Sequence, residues 1–159
     1  MEKQKIDSKK AQVITEKMEV NTSEFEMFQA MLLNKSKQRT LEQKEKIELM
    51  ALTFEMEDYL KSNDQELKLV GYFLKSHLST FKIKQNKFAS YIGQKPSNLS
   101  KLIKGERSLS HELALVFGQI FKNDPMLWLD IQDKNKLLAL EKAKRQEIDM
   151  YSLEDLIKL

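Results

Sequence analysis

The segment FASYIGQKPSNLSKLIKG, residues 88–105, constrains the fold more than any other part of this 159-residue chain. Gly93 and Pro96 divide it into two short stretches of mixed apolar and polar residues, and Gly105 closes the second stretch. Glycine commonly ends a helix because it accepts a positive φ, and proline suits the first helical turn because its missing N–H has no partner there. The pattern therefore predicts two short helices joined by a tight turn.

Small residues lie where two such helices would have to approach each other. Counting from Gln85, an alanine follows at +4, a glycine at +8 and leucines at +14 and +17. Two short helices that cross steeply need a small residue at the crossing and a turn that admits positive φ. Ala89 and Gly93 meet these demands, while Leu99 and Leu102 supply the inward apolar face. The spacing predicts a helix-turn-helix.

The composition of the whole chain also favours helices. Only four glycines and two prolines occur, while Leu, Lys, Glu, Gln and Met are abundant, as is typical of a helical protein. The length suits one compact core, with or without an arm. We therefore predict an all-α protein.

Several classes of function are disfavoured by what the sequence lacks. It contains no cysteine, and its two histidines, His77 and His111, lack a ligand-type spacing, so we expect no metal and no cofactor. No nucleophile elbow or phosphate loop occurs, so we expect no enzyme. The longest uninterrupted apolar run has five residues, 113–117, and the N-terminus has no apolar signal segment. These features predict a cytoplasmic protein that does not cross a membrane.

Positive charge is concentrated in the middle of the chain. Residues 81–110 carry seven Lys or Arg and one Glu, a net charge of +6, whereas residues 41–80 carry −3 and residues 111–159 carry −2. A local excess of this kind is expected of a surface that faces an anion such as nucleic acid. The alternative is a solvated lysine-rich face without a partner.

The helical pattern divides the chain into four regions. We expect a flexible segment over 1–22, a helical arm over 23–62, a helix-turn-helix and dimerisation domain over 63–147, and a short C-terminal helix over 148–159. Capping boxes, Ser23 with Glu26 and Thr40 with Gln43, should begin the two helices of the arm. The predicted apolar faces of those helices consist of Phe25, Phe28, Met31 and Leu32, and of Ile47, Met50, Ala51 and Phe54. These faces would either pack on the domain as extra layers or present an apolar stripe to another protein.

Five helices are predicted within 63–147. Their expected starts are Asp64 as an N-cap, Gln85, Pro96, Ser110 as an N-cap and the pair Asp124–Pro125. The expected inward residues are Leu67, Val70, Phe73, Leu74 and Leu78 on the first helix, Phe88, Ala89 and Ile92 on the second, and Leu99, Leu102 and Ile103 on the third. The fourth helix carries the apolar residues Leu113, Ala114, Phe117 and Ile120, and the fifth carries Trp128, Leu129, Leu137, Leu138 and Leu140.

The sequence NLSKLIKGERSLSHELALVFGQIFKNDPMLWLDIQ, residues 98–132, is similar to the HigA-type antitoxins of toxin-antitoxin modules. The shared pattern is S-x-L-L-x-G-x-R-x-I, then a helix with A-x-x-L, then P-x-x-W-L-x-L-Q. It is matched at Ser100, Leu102, Ile103, Gly105, Arg107, Leu109, Ala114, Pro125, Trp128, Leu129, Ile131 and Gln132. More broadly, residues 64–145 resemble the lambda-repressor-like (XRE-family) DNA-binding domain. The chain departs from the usual pattern at Lys84, where a serine or threonine cap is common, and at Lys95.

The resemblance implies a fold and a function. The fold is a five-helix lambda-repressor-like helix-turn-helix domain, here with an N-terminal helical extension. The function is that of a DNA-binding antitoxin, which represses its own operon as a dimer and neutralises a small basic ribonuclease toxin of the RelE/HigB-like kind. Some members of such families carry a helical N-terminal arm that binds the toxin. The alternatives are a stand-alone XRE-family transcriptional regulator without a toxin partner, and a helical adaptor with no DNA role.

The polar face of the third predicted helix is the candidate DNA-reading surface. Its side chains lie opposite the apolar ones, and the first residues of such a helix can contact base edges in the major groove. The residues expected to contact bases are Ser97, Asn98, Ser100 and Lys101. The residues expected to hold phosphates are Lys84, Gln85, Lys104 and Arg107. The alternatives are solvated charges for single lysines and a local backbone hydrogen bond for Asn98.

One such helix contacts too few bases for useful specificity, so we expect a homodimer on double-stranded DNA with an inverted-repeat operator. The fifth helix, with Trp128 and Leu129, is the predicted dimer surface. The alternative for a lone tryptophan at helical spacing is a place in the core.

Overall fold

The computed structural model describes residues 23–63 and 66–159. Within these ranges the chain forms helices and no strand, which confirms the predicted all-α class. The helices in chain order are α1 (Ser23–Lys37), α2 (Leu41–Lys61), α3 (Val70–Thr80), α4 (Gln85–Tyr91), α5 (Pro96–Ile103), α6 (His111–Phe121), α7 (Pro125–Ile148) and α8 (Leu153–Lys158).

The chain divides into two compact units, residues 1–44 and 45–159. The predicted flexible segment 1–22 and the predicted N-cap Asp64 lie outside the described residues. In the smaller unit, α1 begins at Ser23 as predicted and has no buried residue. The capping box at the start of α2 forms as predicted: the Thr40 N–H donates to Gln43 Oε1 at 3.1 Å, and the Gln43 N–H donates to Thr40 Oγ1 at 3.2 Å.

Helix α2 buries a different face from the predicted one. Leu52, Met56 and Tyr59 are buried, whereas Ile47, Met50 and Phe54 are exposed. The helix carries two apolar stripes on opposite sides, and helical periodicity detects both. The neighbouring elements of the larger unit decide which stripe is covered, so the sequence pattern alone selected the wrong one.

The C-terminal half of α2 belongs to the larger unit and is bonded to residues of that unit. The Tyr59 hydroxyl donates to Asn135 Oδ1 at 2.5 Å, and Asn135 Nδ2 donates to the Lys68 carbonyl at 2.9 Å. Lys134 Nζ lies 4.3 Å from the centre of the Tyr59 ring. Both the oxygen and the nitrogen of the buried Asn135 amide are therefore hydrogen-bonded, as is usual for polar groups in a protein interior. The predicted boundary near residue 62 is therefore too late, because half of α2 is part of the domain core.

An aromatic cluster forms the centre of the larger unit. Trp128 is 0% exposed, and its ring centroid lies 5.2 Å from that of Phe117 and 5.7 Å from that of Phe121. Its indole N–H donates to Asn123 Oδ1 at 2.8 Å, which satisfies the one polar atom of the side chain. The prediction that Trp128 forms the dimer contact is corrected, because a side chain without accessible surface in the protomer has none to offer a partner. Leu129 is partly exposed.

Helices α3 and α5 approach each other closely at Gly71. A Cβ placed on Gly71 would lie 2.0 Å from the backbone oxygen of Ile103, so only glycine fits there. Helix α3 begins at Val70 after Leu69 in an extended conformation, later than the predicted start at 64. Leu67 precedes the helix and is exposed, so it does not belong to the inward stripe.

Candidate nucleic-acid interface

Helices α4 and α5 pack against each other and are joined by residues 92–95. Gly93 has φ +69° and ends α4, and the Gln94 N–H donates to the Ala89 carbonyl at 2.9 Å. An added Cβ on Gly93 would meet nothing within 4 Å, so the backbone conformation, not space, requires glycine here. Pro96 occupies the first turn of α5. The two short helices and the tight turn are placed as the sequence predicts.

The inward faces of both helices are buried. Ala89 belongs to the core and has no exposed surface. The ring centroid of Phe88 lies 5.8 Å from that of Phe121. On α5 the predicted apolar residues Leu99, Leu102 and Ile103 are all buried. Because one side of α5 is fixed in the core, its opposite side is fixed toward solvent.

The outward side of α5 carries the predicted base-contacting residues. Ser97, Lys101 and Lys104 are exposed, and Ser100 is partly exposed between them. We call Ser97, Ser100, Lys101 and Lys104 the α5 face. Asn98 is partly exposed at its edge and lines a small cleft with Gln94 and Arg107. The structure thus brings all four predicted base-contacting residues to one side of α5.

The predicted phosphate-contacting residues lie at the ends of the helix pair. Lys84 is the exposed residue that precedes α4, and Gln85 is its partly exposed first residue. Lys104 follows α5 directly, and Arg107 is exposed just beyond Gly105. Two of these four residues therefore lie at the start of α4 and the other two at the end of α5.

The loop that contains Arg107 is hydrogen-bonded to α7. The Leu109 N–H donates to Gln132 Oε1 at 2.6 Å, and Gln132 Nε2 donates to the Leu109 carbonyl at 3.3 Å. Leu109 itself is buried. One amide side chain thus satisfies both backbone groups of Leu109, and this pairing fixes the loop between α5 and α6.

The basic residues of this region have no acidic partner within the described part of the chain. The ion pairs that form in residues 23–63 and 66–159 join Arg145 to Glu141 and to Asp149, at 3.1 and 3.7 Å. None of the seven Lys and Arg side chains between 81 and 110 is paired there. The net charge of +6 over these residues therefore remains available to an external anion.

One exposed aromatic residue beside the turn was missed by the sequence reasoning. Tyr91, the last residue of α4, is 80% exposed. A tyrosine at helical spacing from Phe88 looks like a core residue, and only the burial of Phe88 and Ala89 shows that Tyr91 lies on the other side. An exposed hydroxyl there could contact a phosphate, as tyrosine does in protein–DNA interfaces.

Comparison with protein-family models, with curated proteins and with solved structures found no match to this chain. The described residues contain no group of three or more acidic or histidine side chains arranged to hold a metal ion. In the same part of the chain, no helix has the length and apolar character needed to cross a bilayer.

Proposed function

We propose that this chain is a DNA-binding repressor of the helix-turn-helix class, with α5 as the helix that enters the major groove. The observation that carries the proposal is the exposed α5 face, which is cationic, has no acidic partner in the described residues, and is backed by a buried apolar side. Lysine can donate to guanine, asparagine can pair with adenine and serine can bond to either. Ser97, Asn98, Ser100 and Lys101 would contact bases.

Contacts to the phosphates would come from the ends of the helix pair. Lys84 and Gln85 would contact the backbone on one side of the groove, and Lys104 and Arg107 on the other. The pairing of Gln132 with Leu109 supports this arrangement, because its two hydrogen bonds tie the loop that contains Arg107 to α7. A preorganised loop loses less conformational freedom on binding.

We further propose that the protein binds an inverted-repeat operator as a homodimer, since a single α5 spans too few base pairs. The dimer surface would lie on the second half of α7 and on α8, which expose many large apolar residues. These residues are Leu137, Leu140, Ile148, Met150, Tyr151, Leu153, Leu156, Ile157 and Leu159. Each of them is at least 49% exposed, and exposed apolar residues in such number are typical of an interface.

The physiological role that fits best is that of a cytoplasmic antitoxin, which represses its own operon and neutralises a small basic RelE/HigB-like ribonuclease. This part of the proposal, like the lambda-repressor-like (XRE-family) fold, is supported by the HigA-like pattern at 98–132. The second candidate is a stand-alone XRE-family regulator without a toxin. The exposed series on α7 and α8 favours neither role, because both require a dimer.

The DNA-binding proposal is tested by selecting duplexes from a random pool with the purified chain and then measuring binding by fluorescence anisotropy. Lys101→Ala should weaken binding to the selected duplex, and Lys75→Ala, an exposed lysine on α3, should not. Failure to retain any duplex at low ionic strength would overturn the proposal. Light scattering with and without duplex gives the stoichiometry, and a 1:1 complex would overturn the dimer.

A further inference from the structure

The apolar side of α8 is fully exposed. This helix has six residues, and none of them is buried. Leu153, Leu156 and Ile157 lie on one side of it, at i, i+3 and i+4, and they are 66%, 66% and 74% exposed. A helix shorter than ~12 residues is marginal in water, and packing of its apolar side normally supplies its stability. We therefore expect another surface to cover this side of α8.

A groove with apolar walls runs along α7. Two concavities of about 230 and 500 Å³ adjoin there, because Leu67 and Ala139 line both of them. We call the combined concavity the α7 groove. Its walls include Leu67, Arg107, Gln132, Leu138, Ala139 and Lys142. A groove of this kind can take the apolar side of a short helix.

Hydrogen bonds hold the first end of the α7 groove open. Asn135 Nδ2 donates to the Lys68 carbonyl at 2.9 Å and ties the segment before α3 to α7. On the other wall, Gln132 bonds both backbone groups of Leu109. The two walls are thus fixed to the same helix. A segment that docked there would enter a preformed site, which lowers the entropic cost of binding.

The charge of the chain changes sign after residue 145. Residues 136–145 carry four Lys or Arg and one Glu, a net charge of +3, whereas residues 146–157 carry four Asp or Glu and no basic residue, a net charge of −4. Lys136 and Lys142 line the α7 groove and have no carboxylate partner within 23–63 and 66–159. The acidic, apolar segment that complements this basic groove is thus part of the same sequence.

The α8 helix of the same copy reaches only part of the α7 groove. The Tyr151 N–H donates to the Ile148 carbonyl at 3.0 Å, so a turn places the start of α8 close to the end of α7. Six helical residues span roughly 9 Å, whereas Ala139 lies roughly 14 Å before Ile148. If α8 folded back along its own α7, it would stop short of Ala139 and leave the end at Gln132 open.

A second copy can bring its α8 to that end. If two α7 helices cross antiparallel at Leu137 and Leu140, the last residues of one lie roughly 14 Å beyond the crossing. This position is level with the first residues of the other α7, close to Gln132. By twofold symmetry each copy then offers its α8 to the groove of its partner.

We propose that the two copies exchange α8: the apolar side of α8 from one copy docks in the α7 groove of the other, with its acidic residues facing Lys136 and Lys142. This inference rests on the homodimer proposed above and names the surfaces that pair in it. The exchange covers the apolar side of α8 and supplies carboxylates to the two unpaired lysines.

The apolar part of the contact is tested by sedimentation equilibrium of the full-length chain. Leu156→Ser and Ile157→Ser should each raise the dissociation constant of the dimer by roughly 30-fold, as expected when a central apolar anchor is lost. Neither residue is buried in one copy, so the melting temperature of the monomer should not change. The matched control is Leu115→Ser on α6, where the leucine is 63% exposed and the dissociation constant should stay the same.

The exchange itself is tested with two charge-reversed chains. One carries Glu154→Lys with Asp155→Lys on α8, and the other carries Lys136→Glu with Lys142→Glu in the α7 groove. Each alone should be monomeric at concentrations where the unaltered chain is dimeric, because like charges face each other. An equimolar mixture should dimerise, because each groove then meets an α8 of opposite charge. The effects should shrink as salt is added.

A charge control separates this contact from net charge. Glu112→Lys reverses one charge at an exposed position on α6 and should leave the dissociation constant of the dimer unchanged. An effect of Glu112→Lys as large as that of Glu154→Lys alone would mean that overall charge governs association. That result would overturn the proposed pairing of α8 with the groove.

The outcomes separate this inference from the function on which it rests. Dimerisation of the mixture, but of neither reversed chain alone, supports the exchange. Failure of the mixture to dimerise overturns it, because α8 then pairs with its own α7 or with nothing. Unchanged mass in Leu156→Ser and Ile157→Ser also overturns it and leaves a dimer through other residues standing. A monomeric unaltered chain, with and without duplex, overturns both this inference and the proposed homodimer, whereas DNA binding is judged by anisotropy alone.

Discussion

The α5 face and the outer side of α2 are both presented by helices whose opposite sides are buried, yet their chemistry is opposed. The α5 face is polar and cationic, and its lysines have no acidic partner in the described residues. On the outer side of α2, Ile47, Met50 and Phe54 are exposed, and these three residues are called the α2 stripe. The first surface suits a polyanion and should bind less tightly as salt rises. The second is apolar, so covering it would be driven by burial of apolar area and would depend little on salt. One small domain thus exposes two surfaces of opposed chemistry.

The largest loss of stability is expected from a substitution at Gly71, where α3 contacts the buried side of α5. Gly71→Ala would drive a methyl group into the backbone of Ile103, which cannot move aside, so we expect a loss of about 3 kcal/mol in the free energy of unfolding. Urea denaturation measures it. Gly93→Ala is the control: its Cβ has open space and only the positive φ is strained, at a cost of about 1 kcal/mol. Equal losses would show that α3 and α5 can separate freely.

Substitutions on the two sides of α2 should differ nearly as much in their effect on the free energy of unfolding. Met56→Ala removes a side chain that is 0% exposed and should cost about 2–4 kcal/mol of stability. Phe54→Ala, two positions earlier on the exposed side, should change stability by no more than about 0.5 kcal/mol. Thermal and urea unfolding of the two variants in parallel test the assignment of faces. A destabilising Phe54→Ala would mean that the α2 stripe is covered in solution.

Base contact at the α5 face should appear as a sequence-dependent loss. Asn98→Ala is expected to lose about 1–3 kcal/mol on the selected operator and little on random duplex. Anisotropy titrations on both duplexes measure the difference. An equal loss on the two would make Asn98 a positioning residue, as its partial burial beside Gln94 and Arg107 would then suggest.

Lowering the pH should reduce the stability of the folded domain, because His77 is buried in its core. His77 is buried, with Nδ1 2.7 Å from the Phe73 carbonyl oxygen, and among residues 23–63 and 66–159 its Nε2 has no hydrogen-bond partner. Burial lowers the pKa of the imidazole below its usual value, although the bond to Phe73 opposes this. The unfolded chain therefore takes up a proton near pH 6.5 that the folded chain excludes. Stability should fall as the pH drops below about 6.5, by at most about 1.4 kcal/mol per pH unit.

The two histidines provide the control for this pH dependence. His77→Leu should flatten the fall in stability between pH 6.5 and 5, measured by urea unfolding at each pH. His111→Ala, at an exposed position, should leave the slope as it is. If the slope persisted in His77→Leu, carboxylates elsewhere in the chain would be its source.

The smallest effect is expected from a single phosphate contact. Lys104→Ala should weaken binding to all duplexes alike and lower the slope of log affinity against log salt by about one unit. An unchanged slope would remove Lys104 from the DNA interface.

Local signals in the sequence predicted most of the fold. Ser110 accepts from the Leu113 N–H and Asp124 from the Met126 N–H, so both caps form where they were expected. Glycines 93 and 105 both have the positive φ that their positions at helix ends require. These features depend on a few neighbouring residues, and the sequence therefore carries them directly.

Features that depend on distant neighbours were not predictable in this way. The buried side of α2 is selected by Asn135 and Lys134, more than seventy positions away. Trp128 was assigned to the dimer surface, with the core as the alternative, and its own helix does not show that the ring of His77, about fifty positions away, packs against it. The exposure of Ser97, Lys101 and Lys104 follows from the apolar residues on the opposite side of α5. Tyr91 was missed because α4 shows no such contrast between its sides. Whether these residues bind DNA stays a prediction.

Helix α7 connects the loop behind the α5 face to the exposed leucines of its second half. Gln132 accepts from the N–H of Leu109 and donates to its carbonyl, and further along the same helix Leu137 and Leu140 are exposed. The backbone leaves helical geometry at Lys144, so the straight segment from Gln132 to that kink spans roughly 18 Å at 1.5 Å per residue. If two copies meet through Leu137 and Leu140, the length of this segment sets the distance between operator half-sites. Inserting one residue into it would turn its two ends by about 100° relative to each other and would put the half-sites out of phase.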